Sequence, residues 1–128
     1  MSGDFSCQSQ IHDDPTHGRV LEVTIAGTHS HEGWMSSRAQ LENEISRHCP
    51  RYLVIDIRRY SGVCGAAVIG AIVVGAHAMR KLGNVHETRV LATGKSADAM
   101  QEWIRVAGLA PLIGEQVYSE RASALGPR

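Results

Sequence analysis

The sequence predicts an α/β domain: a mixed, mainly parallel β-sheet of about four to five strands with about four helices packed on it. Short apolar runs of strand length alternate with longer segments of helical periodicity, which is the pattern of β-α-β units. Residues 52–57 form an apolar run without polar alternation, which is typical of a strand covered on both faces. A strand, a crossover helix and a second strand in this order predict parallel pairing.

Length and charge bound the domain organisation and the partners. A chain of 128 residues has room for one domain with its own core. Lys plus Arg and Asp plus Glu both number 13, so the net charge indicates neither a nucleic acid nor a membrane surface as partner. We expect an N-terminal segment at 1–17 with a possible edge strand, a domain at 18–125 and a tail at 126–128. Apolar residues of the possible edge strand are Phe5, Cys7 and Ile11.

Cysteine usage and the absence of cofactor motifs narrow the class further. Cys7, Cys49 and Cys64 show no CxxC spacing, and no signal peptide precedes them. This pattern is typical of a reducing compartment, so we expect a cytoplasmic protein. Neither GxxxxGK[ST] nor GxGxxG occurs, and we expect no cofactor.

Turn residues and apolar periodicity predict the elements of the N-terminal half. Residues 13–18 combine aspartate, proline and glycine, which favour a turn. Residues 19–25 alternate apolar and polar side chains as a strand with one face in the core does. After a loop at 27–33, the amphipathic pattern of 34–48 predicts a helix whose core stripe contains Trp34.

The C-terminal half predicts a strand at 88–92 and a helix that opens at Ser96. Gly108 stands where a left-handed cap would close that helix, and Pro111 predicts that the helix does not resume. The apolar face of this helix is predicted to contain Ala99, Met100, Trp103, Ile104 and Ala107. A last short strand at 115–118 and a terminal helical turn at 119–125 complete the prediction.

Residues 63–82 predict a central helix that is apolar on nearly all sides until its last turns. It is too short for the ~20 apolar residues that cross a bilayer. Two interpretations stay open: a core helix covered by its own domain, or a helix with one face on a partner protein. The small residues spaced for close approach are Ala67, Ala71, Gly75 and Ala78; the bulkier stripe beside them is Val68, Ile72 and Met79.

Taken together, three pieces resemble the STAS domain of bacterial anti-sigma-factor antagonists and sulfate-transporter tails. VTIAGTHS is similar to the family's strand and Gly-Glu-Leu-Asp turn. LVIDIRRYSGVCGAAVIG is similar to the strand, Asp-Leu-Ser, Asp-Ser-Ser-Gly and central helix. KSADAMQEWIRVAGLAPLI is similar to the helix that ends in a small residue, glycine and leucine. The resemblance covers 18–125 and implies a non-enzymatic bacterial signalling domain that regulates transcription.

The sequence departs from the family at its phosphorylation motif. Aligned without gaps from Asp56, Asp-Ser-Ser-Gly falls on Cys64-Gly65-Ala66-Ala67, so Ala66 replaces the serine that a partner kinase phosphorylates. The aspartate of the Gly-Glu-Leu-Asp turn falls on Ser30. Because alanine has no hydroxyl, we expect the usual switch, in which phosphate adds charge at a helix start and repels an apolar partner, to be lost or moved.

We therefore expect a surface for a protein partner at the start of the central helix, 61–75, together with the loop 27–34. The resemblance implies an anti-sigma factor, a serine-kinase-like protein or other STAS subunits as that partner, with a homo-oligomer among the possible assemblies. Residues expected in the surface are Ser30, Ser61, Gly62, Cys64, Gly65, Ala66, Ala67 and Ala71.

Ser61 is the candidate for a displaced phosphorylation site, because Arg58 and Arg59 beside it would pair with a phosphate. The alternative function is a small-ligand, anion or nucleotide-binding STAS-like module, in which both arginines converge on the helix start.

Other chemistry is weakly supported. His29 and His31 lie in a loop, with His12 and His17 as possible neighbours, but a spacing of i and i+2 is no firm ligand pattern, and we expect no metal. Cys64 is either a small buried hydrophobe or a reactive thiol at a helix start. Asp56 is expected to accept hydrogen bonds from the loop that follows it. No nucleophile with a base or pair of carboxylates indicates an enzyme.

Overall fold

A computed structural model describes residues 5–28, 31–61, 66–82, 85 and 87–120. The elements in chain order are β1 (Ser6–Asp14), β2 (Gly18–Gly27), α1 (His31–His48), β3 (Tyr52–Tyr60), α2 (Ala66–Leu82), β4 (Glu87–Leu91), α3 (Gly94–Ala107) and α4 (Ala110–Ile113). None of these helices combines the length and apolarity needed to cross a membrane.

The four described strands form one sheet in the order β1-β2-β3-β4. β1 is antiparallel to β2, whereas the β2–β3 and β3–β4 pairs are parallel, as the two crossover helices require. The α/β class, the mixed and mainly parallel sheet and the number of helices are confirmed.

The N-terminal segment is more regular than the sequence predicts. β1 pairs with β2 in an unbroken register from Ser6 opposite Ala26 to Asp14 opposite Gly18. The Asp14 carboxylate accepts hydrogen bonds from the backbone N–H of His17 at 2.8 Å and of Thr16 at 3.0 Å, and these bonds lower its pKa. The predicted turn therefore joins two full strands.

The four helices of the described residues pack on one face of the sheet. Alternate residues of β2 and β3 point to this face, where they meet helical side chains in the main core. The predicted core stripe of α1 is confirmed, since Trp34, Leu41 and Ile45 are buried. The strand residues of this core are Leu21, Val23, Ile25, Leu53, Ile55, Ile57 and Val90.

The opposite face, called the open face below, carries none of these helices. Its small apolar cluster consists of Val20, Tyr52, Val54 and Leu91, with Tyr118 packed against it. The Tyr52 ring lies 4.4 Å from the His17 ring, centroid to centroid. Through its contact with this cluster, Tyr118 brings the C-terminal segment onto the open face.

α3 ends as the sequence predicts, but its predicted apolar face is not fully buried. Gly108 adopts a left-handed conformation with φ 66° and its N–H bonds to the Ile104 carbonyl, as the predicted cap requires. Met100 and Ile104 are buried, whereas Trp103 is 40% exposed. The predicted apolar face therefore turns partly to solvent.

The chain after α3 differs from the prediction in two places. α3 does not resume, as predicted, but Pro111 lies in the first turn of a separate short helix, α4, where its missing N–H costs nothing. Instead of a strand at 115–118, only Tyr118 forms a parallel bridge with Leu91. The segment is held by Gln101, whose Nε2 donates to the Glu115 carbonyl at 2.8 Å and whose Oε1 accepts from the Val117 N–H at 2.9 Å. Residues 121–125 of the predicted terminal turn lie outside the described residues.

Candidate partner-binding surface

Ser61 lies at the edge of the sheet where β2 and β3 both end. The β2–β3 register shifts by one residue after Thr24, so that Ala26 lies opposite Arg59 and Gly27 opposite Tyr60. The Ser61 N–H then donates to the Gly27 carbonyl at 2.7 Å. This bond fixes the backbone of Ser61. The residue itself is exposed to solvent.

Asp56 and Arg58 form a chelated ion pair at the end of β3. Asp56 Oδ1 accepts from the Arg58 N–H at 2.9 Å and from Nε at 3.0 Å, while Oδ2 accepts from Nη2 at 2.9 Å. The Asp56 carboxylate raises the pKa of Arg58. Asp56 is thus an acceptor, as predicted, but its donor Arg58 lies within β3 rather than in a loop that follows Asp56.

This pair lies on the open face rather than at the helix start. Asp56 and Arg58 line a cavity of about 390 Å³ with Gln8, Thr24 and Arg59. The Arg58 Nη1 also reaches the Ser119 carbonyl at 3.5 Å. Arg58 is therefore directed towards the C-terminal segment, which disagrees with the geometry that an anion site at the helix start would need.

The small-residue stripe of α2 is used within the subunit at its C-terminal end. Gly75 is buried, and a Cβ built there would lie 3.3 Å from Cζ2 of Trp34 in α1. Of the two interpretations, a core helix covered by its own domain is therefore right at Gly75. Trp34, which the sequence places at the end of the partner-binding loop, is 8% exposed because it fills this contact.

A different stripe of α2 faces solvent. Ile69, Ile72 and Ala76 are buried on the side of α2 that faces the sheet. On the other side, Gly70, Val74 and His77 are exposed at helical spacing, and Val74 is 51% exposed. We call these three residues the outer stripe. Sequence reasoning missed Val74, because a helix that is apolar all round gives no periodic signal for its exposed side.

The predicted surface residues are only partly within the described chain. Ser30, Gly62, Cys64 and Gly65 lie outside the described residues. Ala66 is the first residue of α2, where the resemblance implies a helix start. Ala67 and Ala71 lie in α2, and their side chains are not among the described ones.

The histidines do not gather. His12 and His17 belong to the β1–β2 hairpin, at the opposite end of β2 from Gly27, so they are not neighbours of the predicted histidine loop. His12 Nε2 lies 3.0 Å from Glu22 Oε2 on the open face. His29 lies outside the described residues, and within the described part of the chain no three ligand-type side chains group around a metal position.

Cys7 and Cys49 are free thiols. Burial raises the pKa of Cys7, and a hydrogen bond with Ser37 opposes that effect. Cys49 is exposed and has φ 48° just after α1, where its N–H bonds to the Ile45 carbonyl at 2.8 Å.

α1 itself begins at His31, three residues before the predicted start, so the loop after β2 is shorter than expected.

Sequence comparison found no matching family model and no matching curated protein. Solved structures do match over nearly the whole chain. An anti-sigma factor antagonist from Mycobacterium paratuberculosis is similar with a TM-score of 0.61 at 21% identity, over 94% of this chain and 92% of that one.

Two further structures have the same architecture. An uncharacterised DUF3478-family protein from Shewanella loihica, described as having a SpoIIAA-like fold, gives a TM-score of 0.63 at 16% identity, over 98% of this chain and 95% of that one. Unphosphorylated SpoIIAA, an anti-sigma factor antagonist, gives 0.50 at 14% identity, over 92% and 93%. In its fold, the chain is therefore a STAS-like domain of the SpoIIAA-like kind.

Proposed function

We propose that the protein is a non-enzymatic, cytoplasmic signalling domain of bacteria that binds a protein partner without phosphorylation at the usual serine position. The observation that carries the proposal is the outer stripe of α2, an exposed helix face that presents the large apolar side chain of Val74 and begins about one turn after the helix start at Ala66. Likeness to anti-sigma factor antagonists supports a partner of the anti-sigma or serine-kinase-like kind, or other STAS subunits.

The chemistry of the outer stripe favours a protein surface. α2 has no acidic residue in its first turn, and its first charged side chain is Arg80. A Cβ built at Gly70 would meet nothing within 4 Å, so a partner side chain has room to approach the backbone. Val74 beside it offers an apolar side chain whose burial stabilises a complex by ~1.5–3 kcal/mol at most. This surface suits an apolar groove rather than a charged ligand.

The competing function, anion or nucleotide binding, has weaker support. It requires Arg58 and Arg59 at the helix start, but the Arg58 guanidinium is bound by both oxygens of Asp56. A charge-assisted pair of this kind must be broken before Arg58 can bind a phosphate. Calorimetric titration with nucleotides is expected to show no heat of binding; saturable binding would favour the competing function.

Val74→Glu tests the outer stripe. A carboxylate in an apolar interface must be desolvated, so the substitution is expected to weaken partner binding at least about tenfold. Calorimetry with purified serine-kinase-type anti-sigma factors from the same organism measures the affinity. Val106→Glu is the matched control, because Val106 is a valine exposed to 65% on α3.

The outcomes separate cleanly. Loss of binding in Val74→Glu with retained binding in Val106→Glu supports the outer stripe. If both variants bind as tightly as the unmodified protein, or if both lose binding to the same extent, the surface is misassigned. Circular dichroism establishes that both variants remain folded.

Control by phosphorylation, if retained, would have to use another hydroxyl, and Ser61 is our candidate. It is exposed at the sheet edge where β2 and β3 end, and its backbone is fixed by the bond to Gly27. Incubation with a cognate kinase followed by mass spectrometry should add one phosphate to the unmodified protein and none to Ser61→Ala. An unmodified Ser61 peptide would leave the domain a constitutive binder or a scaffold.

A further inference from the structure

β1 is an end strand of the sheet. It pairs with β2 along one edge, and within the described residues no strand pairs with its other edge. Such an edge presents a row of backbone N–H and C=O groups that can form a ladder with another strand.

This edge lacks the features that usually block such pairing. Proteins protect edge strands with charged side chains, proline, bulges or short length. β1 is nine residues long, its register with β2 is continuous, and residues 6–11 contain no charged side chain and no proline. The first carboxylates of the strand are Asp13 and Asp14, next to the turn.

β1 is also held in place before any partner arrives. The Phe5 ring at its start packs edge-to-face on Trp34 with centroids 6.5 Å apart. Cys7 is half-buried and hydrogen-bonds with Ser37 of α1. An ordered strand loses little conformational entropy on pairing, so the edge is suited to bind a second strand.

We propose that this edge binds the β1 edge of a second copy of the chain, antiparallel about a two-fold axis at Ser9. In this register Cys7 lies opposite Ile11 and Gln8 lies opposite Gln10, so apolar meets apolar and amide meets amide. Cys7 and Ile11 both pack against the main core, so their pairing extends the core layer across the junction.

Neighbouring registers are poorer. Opposed residues of an antiparallel pair share a face, so the axis moves in steps of whole residues. An axis at Gln8 places Cys7 opposite Ser9, and an axis at Gln10 places it opposite Asp13. Only the Ser9 axis matches both half-buried apolar side chains of the strand. The interface is separate from the outer stripe, since it uses the sheet edge rather than α2.

Sedimentation of charge variants tests the pairing. The unmodified protein is expected to be a dimer in equilibrium with its monomer. Replacing both Gln8 and Gln10 with Lys places like charges opposite each other, and so does replacing both with Glu, so each variant alone is expected to be monomeric. Mixing the two variants places Lys opposite Glu at every pair and should restore a heterodimer.

A disulfide test fixes the register. In a background with Cys7→Val, Cys49→Ser and Cys64→Ser, Ser9→Cys faces its own copy and should form a covalent dimer under mild oxidation. Ser6→Cys is the control, because in this register the two copies of residue 6 are about 20 Å apart. Val74→Glu should leave this dimer intact, which separates the inference from the proposed function.

Each of these experiments has an outcome that contradicts the proposed dimer or its register. A monomeric unmodified protein up to the limit of solubility overturns the proposal, as does a Lys variant that still dimerises. If mixing the Lys and Glu variants gives no heterodimer while both are folded, or if Ser6→Cys crosslinks as fast as Ser9→Cys, the register is wrong.

Discussion

Trp34 joins three elements through one side chain. Its ring packs on Phe5 before β1, belongs to α1 and lies against Gly75 of α2. Because it is buried, Trp34→Ala leaves a cavity and is expected to lower the free energy of unfolding by about 3–5 kcal/mol. Urea denaturation measures the change. Trp103→Ala is the matched control: the residue is 40% exposed, so a smaller loss than for Trp34→Ala is expected.

Some single residues were predictable and others were not. Gly108 and Asp56 carry local signals, since a helix cap and a carboxylate before two arginines need only neighbours in sequence. Val74 carries none, and the small-residue spacing that includes Gly75 does not say which neighbour packs on it. Which of two adjacent small or apolar residues meets Trp34 depends on the rotation of α2 about its axis, and that rotation is set by packing with α1 and the sheet.

At the scale of elements, the glycines of α2 have different reasons to be there. Gly70 faces open space, so Gly70→Ala should raise the free energy of unfolding by about 1 kcal/mol through helix propensity alone. Gly75→Ala gains the same propensity but forces its Cβ to within 3.3 Å of Trp34. We therefore expect Gly75→Ala to be less stabilising than Gly70→Ala in thermal and urea unfolding. Equal stabilisation would contradict close packing of the two helices at Gly75.

The differences from the predicted elements have two separate causes. Proline is expected to break a helix, yet Pro111 lies in the first turn of α4, where a proline is well tolerated. The apolar residues of 115–118 suggested a strand, but only Tyr118 pairs, because Gln101 holds the segment from α3. A side-chain contact over more than ten residues leaves no periodic trace in the sequence.

At the scale of the whole molecule, the described helices occupy one face of the sheet, and the segment 115–118 reaches the other face through Tyr118. Gln101 holds that segment through the Glu115 carbonyl and the Val117 N–H, upstream of the Tyr118 bridge. Gln101→Ala removes two hydrogen bonds of about 0.5–1.5 kcal/mol each, so the segment should open more often.

Hydrogen exchange measures this opening. The Tyr118 amide, which donates to the Val90 carbonyl at 3.0 Å, should exchange about tenfold faster or more in Gln101→Ala. Gln116→Ala, an exposed amide in the same segment, is the control and should leave the rate unchanged. An unaltered Tyr118 rate in Gln101→Ala would mean that the bridge holds the segment without Gln101.

The layered plan was largely predictable, because the strand and helix order with right-handed crossovers leaves few arrangements. Its one-sided character was not. In β2, Glu22 and Thr24 indicated a polar side, but in β3 the run 52–57 reads as buried on both faces. Tyr52 and Val54 are indeed buried, and Tyr118 packs against the cluster they form, from more than sixty positions away in the chain.

The register shift between β2 and β3 determines which side the last strand residues face. Thr24 lies opposite Asp56 but Ala26 opposite Arg59, so β3 contains one residue more than β2 across this interval. That insertion returns Tyr60 to the helical layer, where it packs on the core, and leaves Arg59 beside the cavity outside. If β3 alternated regularly through this interval, the two would exchange, placing a guanidinium beneath the helices and a phenol ring in water.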